Sequence, residues 1–255
     1  MSLKVENLTF GYSDKTILEN ITFEIKQGDF VCLLGKNGVG KSTLFKLLLG
    51  FLKKDSGSIS IDETPLENLN RKELAREIAY IPQYSSSAFN YSVFDTVLMG
   101  TTCRLDTFGS PKAKEKKIAY ESLKKFDIEH LSHKYCDSIS GGERQLVVLA
   151  RAIAQGSKIL ILDEPTANLD YGNQVRVMKT ISQLKEQGYS IILSTHNPEQ
   201  AMWFSDKVMF LDDKKIIAYG KTDDVITSNL LNKIYGIEID LLEKDGRKIC
   251  FPRIN

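Results

Sequence analysis

Eight consecutive residues, Gly35-Lys36-Asn37-Gly38-Val39-Gly40-Lys41-Ser42, fit the pattern GxxxxGK[ST], a spacing with a definite chemical use. Glycines let the backbone wrap a row of phosphates with its N–H groups turned inward, and a helix that starts immediately afterwards adds its positive end at the same point. Lys41 is then placed to neutralise β and γ oxygens, and the Ser42 hydroxyl to coordinate Mg²⁺. Further along, the apolar run Ile159 to Leu162 leads into Asp163-Glu164. That puts two carboxylates at the carboxyl end of a buried strand, where ligands collect in open parallel sheets. Asp163 suits Mg²⁺ through its water shell, whereas Glu164 points elsewhere and suits the polarisation of an attacking water as general base. His196 follows a third apolar run, Ser190 to Ser194, at a place from which it can contact a γ-phosphate. His130 and His133 fall in a segment of helical pattern and read as structural or exposed.

A second anion cradle is legible. Ser140-Gly141-Gly142-Glu143-Arg144-Gln145 precedes an apolar-periodic stretch marked by Leu146, Leu149, Ala150 and Ile153. A serine and two residues without side chains thus stand at a helix start, ready to receive phosphate. One nucleotide seldom needs two cradles from one short chain, so the second is expected to serve a nucleotide held by another subunit.

These groups need elements to hold them. Lys4 to Phe10 and Ile21 to Ile25 alternate apolar and polar residues, which predicts half-buried antiparallel strands joined by a turn at Ser13-Asp14. Asp29 to Leu34 reads as a buried strand that enters the glycine loop, and Thr43 to Leu49 as the helix that leaves it. Lys158 to Asp163 and Ser190 to Ser194 read as two more buried strands, with a helix from about Gln174 to Glu186 between them, an alternation that implies a parallel sheet. Asn70 with Glu73 has capping-box form, and Asn197-Pro198 sets a capping side chain ahead of a first-turn proline. The 56 residues between Gln83 and Ser140 carry helical patterning at Val93 to Met99 and Lys114 to Phe126 without a buried-strand run, and are expected to form a helical subdomain. The expected fold is α/β: a P-loop NTPase core with a mostly parallel sheet, an antiparallel β layer at the N-terminus and an inserted helical subdomain. Its parts are residues 1–83 and 140–228 as the nucleotide-binding core, 84–139 as the helical subdomain and 229–255 as a short C-terminal tail.

Composition narrows the function classes. The chain has 255 residues, 42% hydrophobic and 26% charged, which is ordinary for a folded domain. Its 34 basic and 33 acidic residues leave a net charge of +1, too little to attract nucleic acid in bulk, so any anion site is local and no nucleic-acid partner is expected. Cys32, Cys103, Cys136 and Cys250 are scattered without CxxC pairing, which suits reduced thiols. No run reaches the ~18–20 apolar residues of a membrane span, and Met1 to Phe10 lacks a signal-peptide core, so the chain by itself is expected neither to cross nor to enter a bilayer. The basic run from Pro111 to Lys117 reads as a solvated helix face.

From about Leu3 to Gly220 the motif set resembles the ATP-binding subunit of an ABC transporter. That resemblance implies that Tyr12 stacks on adenine, that Gly35, Lys36, Asn37, Gly38, Val39, Gly40, Lys41, Ser42 and Thr43 bind the triphosphate, and that Gln83 is the Q-loop residue reaching Mg²⁺ and the attacking water. It matches Ser140 to Gln145 to the family's signature motif, Asp163 and Glu164 to Walker B, Ala167-Asn168-Leu169-Asp170 to the D-loop, and His196 to the switch histidine. The signature commonly reads LSGGQ and here reads ISGGE, so Glu143 stands where glutamine is usual; Ser140 and both glycines remain. The family implies a head-to-tail dimer of two copies with two ATP molecules between them, permease subunits in the membrane, a substrate-binding protein reached through them, and a peripheral position on the cytoplasmic face of the inner membrane. Val97-Leu98-Met99-Gly100, Gly220 to Ile226 and the short tail ending at Asn255 are similar to importers of iron-siderophore, haem, cobalamin or related metal chelates. An exporter ATPase is the alternative. A soluble ABC-type ATPase is a third, disfavoured because the insert contains no long coiled coil.

Overall fold

The computed structural model describes residues 2–83, 90–106 and 109–253. Elements run in the order β1 (Ser2–Tyr12), β2 (Lys15–Lys26), β3 (Phe30–Leu34), α1 (Lys41–Leu48), β4 (Ser56–Ile61), β5 (Thr64–Pro65), α2 (Arg71–Glu77), β6 (Ile78–Ile81), α3 (Val93–Leu98), α4 (Ala113–Lys124) and α5 (Gly141–Gln155). There follow β7 (Ile159–Asp163), α6 (Tyr171–Glu186), β8 (Ser190–Thr195), α7 (Pro198–Phe204), β9 (Lys207–Asp212), β10 (Lys215–Lys221), α8 (Thr222–Val225), α9 (Ser228–Tyr235), β11 (Ile239–Lys244) and β12 (Arg247–Pro252). Short 3₁₀ turns, of which Met99–Arg104 is the longest, link the helices between β6 and α5. Two compact units result, residues 1–68 with 185–255 and residues 69–184.

In the first unit β2, β1, β4 and β5 form an antiparallel sheet. β1 buries Leu3 and Val5 at odd positions but Leu8 and Phe10 at even ones. Strict alternation would send those pairs to opposite faces. Asn7 at φ 50°, where the pairing register shifts, inserts the extra residue that returns Leu8 and Phe10 to the core side. β2 does the same between Leu18 and Ile21, around Asn20 at φ 53°. The turn joining them falls where the sequence predicts it, with Ser13 at φ 51°.

β3 pairs in parallel with β8 on one side and β9 on the other, and β10 closes antiparallel on β9. All five residues of β3 and all six of β8 are buried, which is why both read as continuous apolar runs. Leu34 pairs with Thr195, so the Gly35 loop and His196 leave neighbouring strands at the same edge. The chain beyond β10 is folded: α9 is capped by Thr227 and stopped by Gly236 at φ 72°, and β11 and β12 form a two-residue hairpin over Asp245-Gly246, both at positive φ.

In the second unit β6 and β7 pair in parallel, with Ile81 opposite Leu162. α5 is the central helix, burying Val147, Val148, Leu149, Ala150, Ala152 and Ala154, and α3, α4 and the Met99–Arg104 turn pack on it. Gly100 lies so close to the Arg151 carbonyl that a Cβ there has no room. α2 starts with the expected capping box of Asn70 and Glu73. Residues 84–89, with which the expected helical subdomain begins, lie outside the described residues, as does Asn255, part of the chelate-importer likeness.

Candidate nucleotide site

β3 ends in Leu34 and the loop turns at once through Gly35, where a Cβ would meet the Leu211 carbonyl oxygen at 2.5 Å. Gly38 and Gly40 have φ of 77° and 115°, the left-handed region that disfavours side chains. Gly40 is the residue before α1, and a Cβ on it would press Ile17 and Leu18 of β2 at 3.1 Å. Leu18 pairs with Phe10 and Thr16 with Gly11, which sets the Tyr12 end of β1 beside the loop. The Tyr12 ring stands edge-on to Phe10, centroids 4.9 Å apart, and is 45% exposed. Lys41 is 6% exposed, and its Nζ donates to the carbonyl oxygens of Gly35 at 2.8 Å and Lys36 at 3.2 Å. The ammonium is thereby folded back over the loop whose amides follow it. Ser42 and Thr43 open α1 in its first turn. His196, exposed, directly follows the buried β8; Thr195 accepts from the Asn197 amide at 3.1 Å, and Asn197 caps α7 by accepting from Glu199 N and Gln200 N.

In the second unit Asp163 closes β7 and is 5% exposed. The Tyr80 hydroxyl on the neighbouring β6 hydrogen-bonds to it, and burial together with that carboxylate pushes the Tyr80 pKa up to about 12. Tyr80 therefore stays a donor at neutral pH. Sequence patterning gives no sign of it, because a tyrosine in an apolar strand reads as packing. Glu164, the next residue, has φ 45°, uncommon for a residue with a long side chain. Its Oε2 accepts from Gln83 Nε2 at 3.1 Å. The two acidic residues are thus turned apart by the backbone, one buried and one reaching the glutamine that follows β6, a division of labour suited to metal binding and base catalysis.

The Ser140 helix tip is built as expected and carries one surprise. Ser140 caps α5 with Glu143 as its capping-box partner. Glu143 Oε2 accepts from both the Ser140 amide at 2.8 Å and the Ser140 hydroxyl at 2.7 Å, and these hydrogen bonds hold the Glu143 carboxyl below the usual range. Gly141 and Gly142 permit close packing: a Cβ on Gly141 would lie 3.3 Å from Leu169, and one on Gly142 would lie 2.6 Å from Asn173 Oδ1. Asn173 in turn donates through its amide and side chain to Asp170 at 2.9 and 2.7 Å, which keeps the Asp170 carboxyl low. The Ala167–Asp170 turn and the Ser140 tip are one packed structure.

The structure therefore gathers Tyr12, Gly35 to Thr43 and His196 in one unit, and Gln83, Ser140 to Glu143, Asp163, Glu164 and Asp170 in the other. A glycine-rich loop after a buried parallel strand, with a polar strand-end glutamate and a serine cap followed by two glycines, is the arrangement of an ATPase of the ABC type. The family pattern described as ABC transporter matches residues 18–167, and the chain belongs to that family. An uncharacterised ABC transporter ATP-binding protein of Haemophilus influenzae is 42% identical over 244 residues, 96% of this chain and 93% of that protein. A Helicobacter pylori protein named as an iron chelatin transport ATP-binding protein is 37% identical over 259 residues, 98% of this chain and 99% of its own. A solved chain from an ABC transporter assigned to the metal-chelate type, in an inward-facing conformation, matches with a TM-score of 0.88 at 32% identity, over 99% of this chain and 98% of that one. The protein is the ATP-binding subunit of an ABC transporter, an ATPase coupled to transport, with the α/β fold the sequence predicts. Among the described residues, no helix is long and apolar enough to cross a membrane.

Proposed function

We propose that two copies of this chain close head to tail on two ATP molecules and that the closure drives import of a metal chelate such as an iron-siderophore, haem or cobalamin. Each ATP is wrapped by Gly35 to Thr43 of one copy, with adenine on the exposed Tyr12 ring and the γ-phosphate capped by Ser140, Gly141 and Gly142 of the other. Glu164 is the base that takes a proton from the attacking water, Gln83 orients that water through the observed hydrogen bond to Glu164, and His196 contacts the γ-phosphate. Lys41 and the loop amides stabilise the charge that develops on the phosphate oxygens. Ser42, Gln83 and Asp163 would hold Mg²⁺; hydroxyl, amide and carboxylate oxygens are the hard donor set this ion takes, and when bound it would neutralise phosphate charge. Asp170 steadies the Ser140 tip through Asn173.

The hydrogen bond from Gln83 to Glu164, made by a glutamate in left-handed backbone, is the observation that carries the catalytic assignment. The import assignment is supported by whole-length likeness to chains named for iron chelatin and metal-chelate transport. Permease subunits then anchor the dimer at the cytoplasmic face of the inner membrane, and a substrate-binding protein delivers the cargo to them. Co-purification with its membrane permease, followed by turnover measurements in proteoliposomes, tests the reading. Ferric-siderophore, haem or cobalamin on the matching binding protein is expected to stimulate ATP hydrolysis. Stimulation by free manganese or molybdate alone, or by a solute on the ATPase side of the vesicle, would refute chelate import.

A further inference from the structure

Beyond β10 the chain does more than trail off. Leu231 and Ile234 bury α9 in the first unit, and the hairpin is tied to that helix where Ile239 N donates to Asn232 Oδ1 at 2.6 Å and Leu241 N to Ser228 Oγ at 3.2 Å. The hairpin then grips α7 from its other strand: Trp203 Nε1 donates to the Lys248 carbonyl at 2.9 Å, and Cys250 N donates to Glu199 Oε1 at 3.1 Å. Finally the Tyr235 hydroxyl, on the last residue of α9, donates to the carbonyl oxygen of His196 at 3.0 Å.

His196 sits in a two-residue link between β8 and α7. β8 is buried along its whole length and cannot turn. α7 is held by the hairpin, and the peptide that leaves His196 is held by Tyr235. The Asn197 amide and side chain serve Thr195 and the α7 cap. The Tyr235 ring is half-buried, and burial pushes its hydroxyl pKa up, so it remains a donor throughout the working pH range.

We propose that Tyr235 is a positioning residue for ATP hydrolysis, its hydroxyl fixing the His196 peptide so that the imidazole is presented at the γ-phosphate, with the C-terminal hairpin as the brace that makes the contact rigid. The proposal rests on the reading of His196 as the γ-phosphate contact. It makes α9 and the β11–β12 hairpin a support for the catalytic machinery of the same chain.

Tyr235→Phe deletes one oxygen and keeps the ring. Turnover of the full chain is measured for wild type, Tyr235→Phe, His196→Ala and the double variant, with melting temperature alongside. Loss of one hydrogen bond in a chain of this size moves the melting temperature by only about 2–4 °C. A positioning role predicts that Tyr235→Phe lowers kcat about fivefold or more while KM for ATP stays within twofold, and that it costs nothing further on His196→Ala, because residues acting as a unit are not additive. An unchanged kcat, or the same fold-loss in the His196→Ala background, overturns the proposal. Full turnover by His196→Ala alone identifies failure of the underlying histidine reading instead, and takes the proposal with it.

Discussion

The Glu143 substitution in the Ser140 tip has a consequence large enough to measure. Glu143 Oε2 accepts a hydrogen bond from the Ser140 hydroxyl at 2.7 Å, and a γ-phosphate oxygen bound at Ser140 needs that same donor. Two acceptors around one hydroxyl at such distances, a tetrahedral angle apart, lie roughly 4.4 Å from each other. Two like unit charges at that separation repel by about 1 kcal/mol in a water-like medium and about 4 kcal/mol at an effective dielectric of ~20. Glu143 stands at a helix tip open to solvent, so the lower figure applies, and about 1 kcal/mol is roughly fivefold in an equilibrium constant. Glu143→Gln keeps the capping-box form and removes the charge. A head-to-tail dimer contains two such contacts, so in a Glu164→Gln background that holds ATP uncleaved, sedimentation is expected to show dimerisation tightened about 25-fold in ~50 mM salt. The gain should shrink to about twofold at ~1 M, where screening acts over ~3 Å. Because hydrogen bonds from Ser140 hold the Glu143 carboxyl low, it is charged throughout pH 6–8 and the gain should persist across that range. Dimerisation that is unchanged or weakened at low salt would refute the idea that the carboxylate competes with phosphate.

Gly142→Ala drives a methyl group against Asn173 and parts it from Asp170; turnover should fall at least tenfold while the melting temperature moves by less than about 4 °C, as one surface hydrogen bond allows. Burial and then Glu199 push the Cys250 thiol up to about 11, which leaves roughly a hundredth of the thiolate of an ordinary cysteine at pH 8, so its alkylation there should be slowed about two orders of magnitude and should accelerate when the hairpin is released. The protonated thiol is favoured in the fold, so this contribution is complete below pH ~9 and is lost as pH rises towards about 11.

Much of the strand, glycine loop and helix around Gly35 was legible because its physics is local. A buried apolar run, glycines at the strand end and a helix after them are fixed by backbone geometry within fifteen residues, and Asp163 with Glu164 sits at the end of an equally plain run. Helix edges moved by one to three residues: the helix expected from Thr43 starts at Lys41, and that expected from Gln174 starts at Tyr171. Other features depend on contacts between distant segments. The bulges at Asn7 and Asn20 decide which face Leu8 and Ile21 occupy, yet they leave only a break in alternation. Tyr80 reads as packing until its hydroxyl is seen on Asp163. The Asp245-Gly246 turn between alternating residues is a hairpin signal in the sequence itself, but what the hairpin holds, Trp203, Glu199 and through Tyr235 the His196 peptide, appears only in three dimensions.

The central claim is that ATP is enclosed by two chains, the Gly35 loop of one and the Ser140 tip of the other. Glu164→Gln with ATP and Mg²⁺ in the analytical ultracentrifuge tests it directly. A species of twice 28.7 kDa is expected, one that reverts to 28.7 kDa with ADP and fails to form with Ser140→Arg. A monomer at every ATP concentration, or a dimer that needs no nucleotide and tolerates Ser140→Arg, would contradict it.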